Sequence, residues 1–515
     1  MSVRAVAPST GAEVRRSARN GIIGLAGAAI NGIAGFALTI VIVRSFGAAG
    51  SGALFTAIAL VTIAGVVCCL GADTALVWAL PRRTTGVDGD AGRLLLVALG
   101  PPVGLAVIVA TIGVLVDERL AGMLLDDPSA GGGALIRLAV LAIPVIVAVT
   151  ILLAATRGVR PVAAYVGIQS VFLPISRLVA VAVVALAGAG VVAGFGAWLL
   201  PAAVAVILAA LWTAGPLGVS AGVPLRARNQ DWRQLWRFAL PRAASAAIDA
   251  GSMWIGVLLT AALAGQSEAG IFGAVGRYAL AGLLIMHGLR VAVAPQLSRL
   301  LGEGQRAAAA EVYRQTSLWI VVLSWPAYLM LAVFSPAFLD VFGPEFRAGA
   351  TALAILAIAM LVNVGVGLVQ TLLLMSGNSR GHLFATATGL ACNIAGCLAL
   401  VPSHGALGAA LAWSVGIVVE NLIAAVLAQR ALGEPLLRRD VVQAAAVVAG
   451  ATGLTAALGV AALGRGPGGF AIALAALAVV SAASLANPRV RQAARDVPRL
   501  IRKTGQPREV RSESA

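Results

Sequence analysis

Apolar residues run along this chain in long blocks, without the two-residue alternation of strands or the narrow stripes of surface helices. Windows of about 20 apolar residues are what a helix needs to cross a bilayer. They fall near 21–43, 52–79, 94–116, 138–156, 162–187 and 191–213. A polar stretch at 214–237, with Arg226, Arg228, Asp231 and Arg233, reads as a cytoplasmic linker. Further windows lie near 238–263, 269–297, 316–339, 349–376, 383–402, 406–429, 441–463 and 467–486. The pattern predicts an all-α polytopic membrane protein of about 14 transmembrane helices. The linker separates an N-lobe of six (21–213) from a C-lobe of six (238–430). Two C-terminal helices (441–486), an N-terminus (1–20) and a basic tail (487–515) remain.

The two lobes begin alike. Gly47 and Gly52 bound the turn between spans 1 and 2, and Gly265 and Gly270 bound the one between spans 7 and 8. Each second span then ends in proline and basic residues, Pro81-Arg82-Arg83 and Pro295 to Arg299. An internal repeat with an even number of spans relates its halves by an axis along the membrane normal. Prolines inside spans (Pro101, Pro102, Pro144, Pro174, Pro326) predict kinks.

Of the 515 residues, 60% are hydrophobic and 11% charged, which excludes an ordinary soluble domain. The net charge of +16 invites a nucleic-acid reading, but its placement argues for topology. Of 37 Lys and Arg, only Arg44, Arg119, Arg137, Arg347 and Arg465 fall in one set of alternate loops, and four lie inside spans. The positive-inside rule then places both termini in the cytoplasm of a cell inner (cytoplasmic) membrane protein. The tail from Arg489 to Arg511 is suited to anionic headgroups and not to nucleic acid. The run from Gly21 to Val43 is too long for a cleavable signal. Cys68, Cys69, Cys392 and Cys397 have neither zinc-ligand nor redox spacing, and nothing implies a metal or cofactor.

Arg177, Arg242, Arg277 and Arg290 lie inside spans, where a guanidinium is costly and marks a wet cavity or a partner. Several of them together point to an anionic cargo. Asp249, Glu420 and Asp73 are the acidic counterparts. Asp249 offers Arg277 an ion pair between neighbouring spans, and Asp73 is a gate partner for the arginines of span 8. Asp249 or Glu420, with Asn393, makes a candidate coupling-ion site. His287 stands one turn before Arg290.

Three stretches of the second half occur in a distinctive order: Arg290 to Leu301, Phe342-Gly-Pro-Glu-Phe346, and Leu400 to Ala412. With Gly47 to Gly52, they resemble the polysaccharide flippases (Wzx-type and MurJ-like) of the multidrug/oligosaccharidyl-lipid/polysaccharide exporter superfamily, over roughly residues 15–430. The resemblance implies two six-helix lobes around a central cavity. It also implies a polyprenyl-pyrophosphate-linked oligosaccharide moved between leaflets by alternating access, for cell-surface polysaccharide biosynthesis. A glycan polymerase or glycosyltransferase is the implied partner. Arg277 becomes the first choice to grip the pyrophosphate, Arg242 and Arg290 to receive it from the cytoplasmic side. Span 5 is less often central in that family, so an internal partner is expected for Arg177.

Two other functions compete. A cation-coupled multidrug exporter would favour an acidic cavity, and here arginines outnumber carboxylates inside spans. A membrane polymerase or ligase would need an acid/base constellation, and the outer loop 117–137 offers only scattered carboxylates. No nucleotide-binding loop is present, and the chain reads as a transporter and not an enzyme.

Overall fold

Hydrocarbon offers no water to backbone N–H and C=O groups, so each apolar block must close its own hydrogen bonds, which helices do. A computed structural model describes residues 11–82, 90–126, 132–217, 229–436 and 439–486, and helices are the only regular elements among them. The basic tail, most of the linker and the side chain of His287 lie outside the described residues.

Helix α1 (Gly11–Cys69) carries spans 1 and 2, bent at Gly47, and α2 (Ala72–Ala79) completes span 2. Spans 3 and 4 are α3 (Asp90–Leu115) and α5 (Gly132–Val159), with the short α4 (Asp117–Leu124) between them. Span 5 is α6 (Val162–Val166), a π-helical segment (Gly167–Phe172) and α7 (Leu173–Leu186); span 6 is α8 (Val191–Ala214). Span 7, α9 (Asn229–Ala264), starts earlier than the apolar window. Residues 229–237, read as linker, are helical, with Asp231 in the first turn where a carboxylate favours the helix dipole.

Span 8 is α10 (Gln266–Ala281) and α11 (Leu283–Gly302), interrupted at Gly282. Span 9 is α12 (Arg306–Val333), followed by α13 (Ser335–Leu339). Span 10 is α14 (Ala350–Gly365) with α15 (Val369–Met375). Helix α16 (Ser379–Leu432) holds spans 11 and 12, bent at Gly405; α17 (Arg439–Leu463) and α18 (Pro467–Ala486) finish the bundle. Among the described residues, eleven segments are long and apolar enough to cross a membrane. Two of them hold a pair of spans each and α10–α11 adds a broken one, which brings the crossings to fourteen. Threonines within the spans return their hydroxyls to the carbonyl four residues back, as Thr39, Thr62, Thr156 and Thr260 do.

One end of the bundle is tightly shut. The turns at Gly47 (φ 66°) and Gly265 (φ 88°) take a left-handed conformation that lets each chain reverse between spans. Beyond them the glycines meet: a Cβ on Gly52 would collide with the carbonyl oxygen of Gln266, and one on Gly270 with that of Ala48. Around this contact Asp126 Oδ2 accepts from the Gln266 N–H (2.9 Å), capping α10. The Arg44 Nε donates to the Val341 carbonyl (2.8 Å). Phe342 packs against Phe36, Tyr278 and Phe346, which gathers the Phe342–Phe346 stretch into an aromatic cluster at this end. Glu268 caps the other broken helix by accepting from the Ala406 N–H (2.7 Å), just past Gly405. In the 117–137 loop, Asp117 is buried and paired with Arg137 (2.6 Å), a structural use of that carboxylate.

Candidate functional site

Beneath the shut end lies a cavity of about 370 Å³, within the size range of small-molecule sites. Asn31, Thr39 and Thr62 of α1 supply polar wall, and Phe55 of the same helix an aromatic face. Arg177 and Trp198 enter from spans 5 and 6, Trp254 and Arg277 from spans 7 and 8. Among the described residues the lining contains no acidic side chain.

Local sequence sets both arginines. Pro174 has no N–H to return to the preceding turn, and the helix there widens into the π-segment Gly167–Phe172, which shifts the register of the turns beyond it. One turn on, Arg177 lies over Trp198, its Cζ 4.0 Å from the ring centroid. Its Nε donates to the Trp198 carbonyl (3.1 Å). Arg277 comes after Gly273 and Gly276, whose missing side chains leave room for the rings of Phe55 and Trp413. Its Cζ sits 5.0 Å from the Trp254 centroid and 6.0 Å from that of Phe55.

Neither arginine pairs with a carboxylate among the described residues. Withdrawing a guanidinium from water costs several kcal/mol. A desolvated cation–π contact returns about 2 kcal/mol. The rings around Arg277 therefore leave much of that cost standing, and Arg177 adds only its one bond to the Trp198 carbonyl. An anion entering the cavity would offset it, most effectively one with oxygens spaced for the guanidinium fork.

A second polar group lies among spans 7, 8, 10, 11 and 12. Arg290 Nε donates to Thr371 Oγ1 (2.8 Å). Gln370 Nε2 donates to Glu420 Oε1 (3.0 Å), while Gln370 Oε1 is 2.7 Å from His382 Nδ1. Asp249 sits in the field of His382, Arg242 and Arg290 without a direct ion pair. Gln370 thus links a carboxylate to an imidazole across three helix segments.

No family model matches the chain, and no curated protein does. Solved structures do. A lipid II flippase MurJ in an inward closed conformation superposes with a TM-score of 0.65, at 11% identity, over 89% of this chain and 98% of the other. An inward-facing multidrug resistance MATE family transporter of the MOP superfamily matches with 0.61, at 15% identity, over 80% and 98%. A MOP superfamily transporter from Pyrococcus furiosus, described by a binding pocket of reversed polarity, gives 0.55 at 16%, over 81% and 96%. The chain has the fold that these MOP-superfamily structures share. Its many long apolar helices make it a multi-pass membrane protein.

On this MOP fold the expected residues separate. Arg277 and Arg177 share the cavity, and Arg177 has an internal partner there, the ring and carbonyl of Trp198. The pair expected between Arg277 and Asp249 does not form. Arg290, Asp249 and Glu420 fall in the second polar group, with Arg242 exposed beside it. Asn393 is buried and receives the Cys397 thiol (3.5 Å), apart from that group. Asp73 meets the Thr74 hydroxyl (3.4 Å) and makes no ion pair with span 8. The cysteines are free, and all but the half-buried Cys392 are buried. Trp198, Trp254, Gln370, Thr371 and His382 were missed. Their signal was present as aromatic and polar residues inside apolar windows, but nothing along the chain indicated which would meet.

Proposed function

We propose that this protein moves a polyprenyl-pyrophosphate-linked oligosaccharide from the inner to the outer leaflet of the cytoplasmic membrane by alternating access, in cell-surface polysaccharide biosynthesis. The observation that carries the reading is the cavity that holds two guanidiniums, one from each half, with no carboxylate beside them among the described residues. Such a lining suits a diphosphate and disfavours the cationic drugs a multidrug exporter would carry. The likeness to a lipid II flippase supports a lipid-linked cargo. Arg242 and Arg290 receive the diphosphate from the cytoplasmic side. The Asp249, Gln370, His382 and Glu420 group exchanges partners when the halves rock. The charge asymmetry of the loops supports cytoplasmic termini, where the basic tail meets anionic lipids and a polymerase or glycosyltransferase shares the pathway.

The test is mass spectrometry of polyprenyl-pyrophosphate lipids in cells depleted of the protein and rescued with wild type or Arg277→Gln. One lipid-linked glycan should accumulate, relieved by wild type and at least tenfold less by the variant, the loss expected for an unpaired charge contact. An unchanged lipid pool with new sensitivity to cationic drugs would sink the proposal.

A further inference from the structure

The cavity's tryptophans are placed to do more than shelter arginines. Trp198 stacks with Phe195 (ring centroids 5.6 Å apart, 24° between planes) and carries the Arg177 guanidinium over its ring. Trp254 faces Arg277 in the same way from the opposite half. These contacts are worth less than a charge-assisted hydrogen bond to a phosphate oxygen. When a diphosphate enters, each guanidinium gains by turning from its ring to the oxygens. That movement bares two indole faces directly beside the bound phosphates. An indole face carries the negative lobe of the ring quadrupole and accepts an apolar group with polarised C–H bonds. A pyranose presents such a face, and in a sugar diphosphate it is attached to the phosphorus through one oxygen.

We infer that Trp254 and Trp198 form a sugar-stacking subsite, uncovered as Arg277 and Arg177 engage the diphosphate, so that the carrier recognises the first sugar together with its phosphates. This deepens the reading proposed above and rests on it. The shared chemistry is a glycosyl diphosphate, lipid-linked or nucleotide-linked. The asparagine and threonine polar groups of α1 are available to the sugar's remaining hydroxyls.

Intrinsic fluorescence of the full-length protein in nanodiscs tests it, titrated with inorganic pyrophosphate, a short-chain polyprenyl diphosphate, the same lipid bearing one N-acetylglucosamine, and uridine diphosphate N-acetylglucosamine. In wild type the sugar should tighten lipid binding by about tenfold, the scale of a small apolar contact. Trp254→Leu should erase that increment while pyrophosphate still binds, at least as tightly as in wild type because the ring competing for Arg277 is gone, which also shows that the variant is folded. Trp254→Phe should keep part of it. Should Trp254→Leu fail to fold, Trp198→Leu serves the same comparison. An increment that survives both leucine variants overturns the stacking subsite while leaving the flippase reading intact. Absence of any diphosphate binding, unchanged in Arg277→Gln, overturns the reading beneath it. Nucleotide-linked sugar binding as tightly as the lipid-linked one would keep the subsite and reject the lipid-linked cargo.

Discussion

Arg277 owes its position to what its neighbours lack. Glycines at 273 and 276 let rings close around it, and no acid approaches. If its task is to fork onto phosphate oxygens, charge alone will not serve. Arg277→Lys is therefore expected to transport at a rate between wild type and Arg277→Gln in a reconstituted lipid-flipping assay. Equality with wild type would reduce the site to a point charge. The depth of this residue was legible in the sequence, because a guanidinium in an apolar block stands out. Its surroundings were not. Trp198 and Trp254 lie in other spans, and the expected Asp249 partner rests on adjacency of spans, which says nothing about which way each helix face turns.

Counting apolar windows yields fourteen crossings because length and transfer energy alone decide them. It is blind to dihedral angles, so the interruption at Gly282 and the π-segment before Pro174 did not show. The broken span 8 needs outside support, since a helix ending in hydrocarbon leaves carbonyls without partners. Tyr328 of α12 provides it: buried, its hydroxyl donates to the Ala279 carbonyl (2.8 Å) in the last turn of α10. Tyr328→Phe removes that bond and is expected to cost about 1–3 kcal/mol, as for a buried acceptor left unmade. A lowered Tm in detergent, with diphosphate affinity retained, checks this. An unchanged Tm would mean that water or lipid satisfies the carbonyl.

For the molecule as a whole, closure at one end depends on backbone meeting backbone. Gly270→Ala pushes a methyl group into the Ala48 carbonyl and should strain the contact by about 1–3 kcal/mol, the usual cost of overpacking. Ser51, fully buried beside it, gives a readout once changed to cysteine in a chain without its native cysteines. A thiol reagent should label Ser51→Cys slowly in the parent and several-fold faster with Gly270→Ala. Equal labelling would remove this contact from the closing mechanism. The five-residue glycine spacing was visible along the chain, but that each glycine seats the other's turn became visible only in three dimensions. That reciprocity has the form of an isologous interface, the kind through which two identical subunits associate about a twofold axis. If each half holds six crossings, as the apolar windows predict, both enter the membrane in the same sense and the axis can stand along its normal. The glycine contact then has, within one chain, the geometry of a homodimer interface.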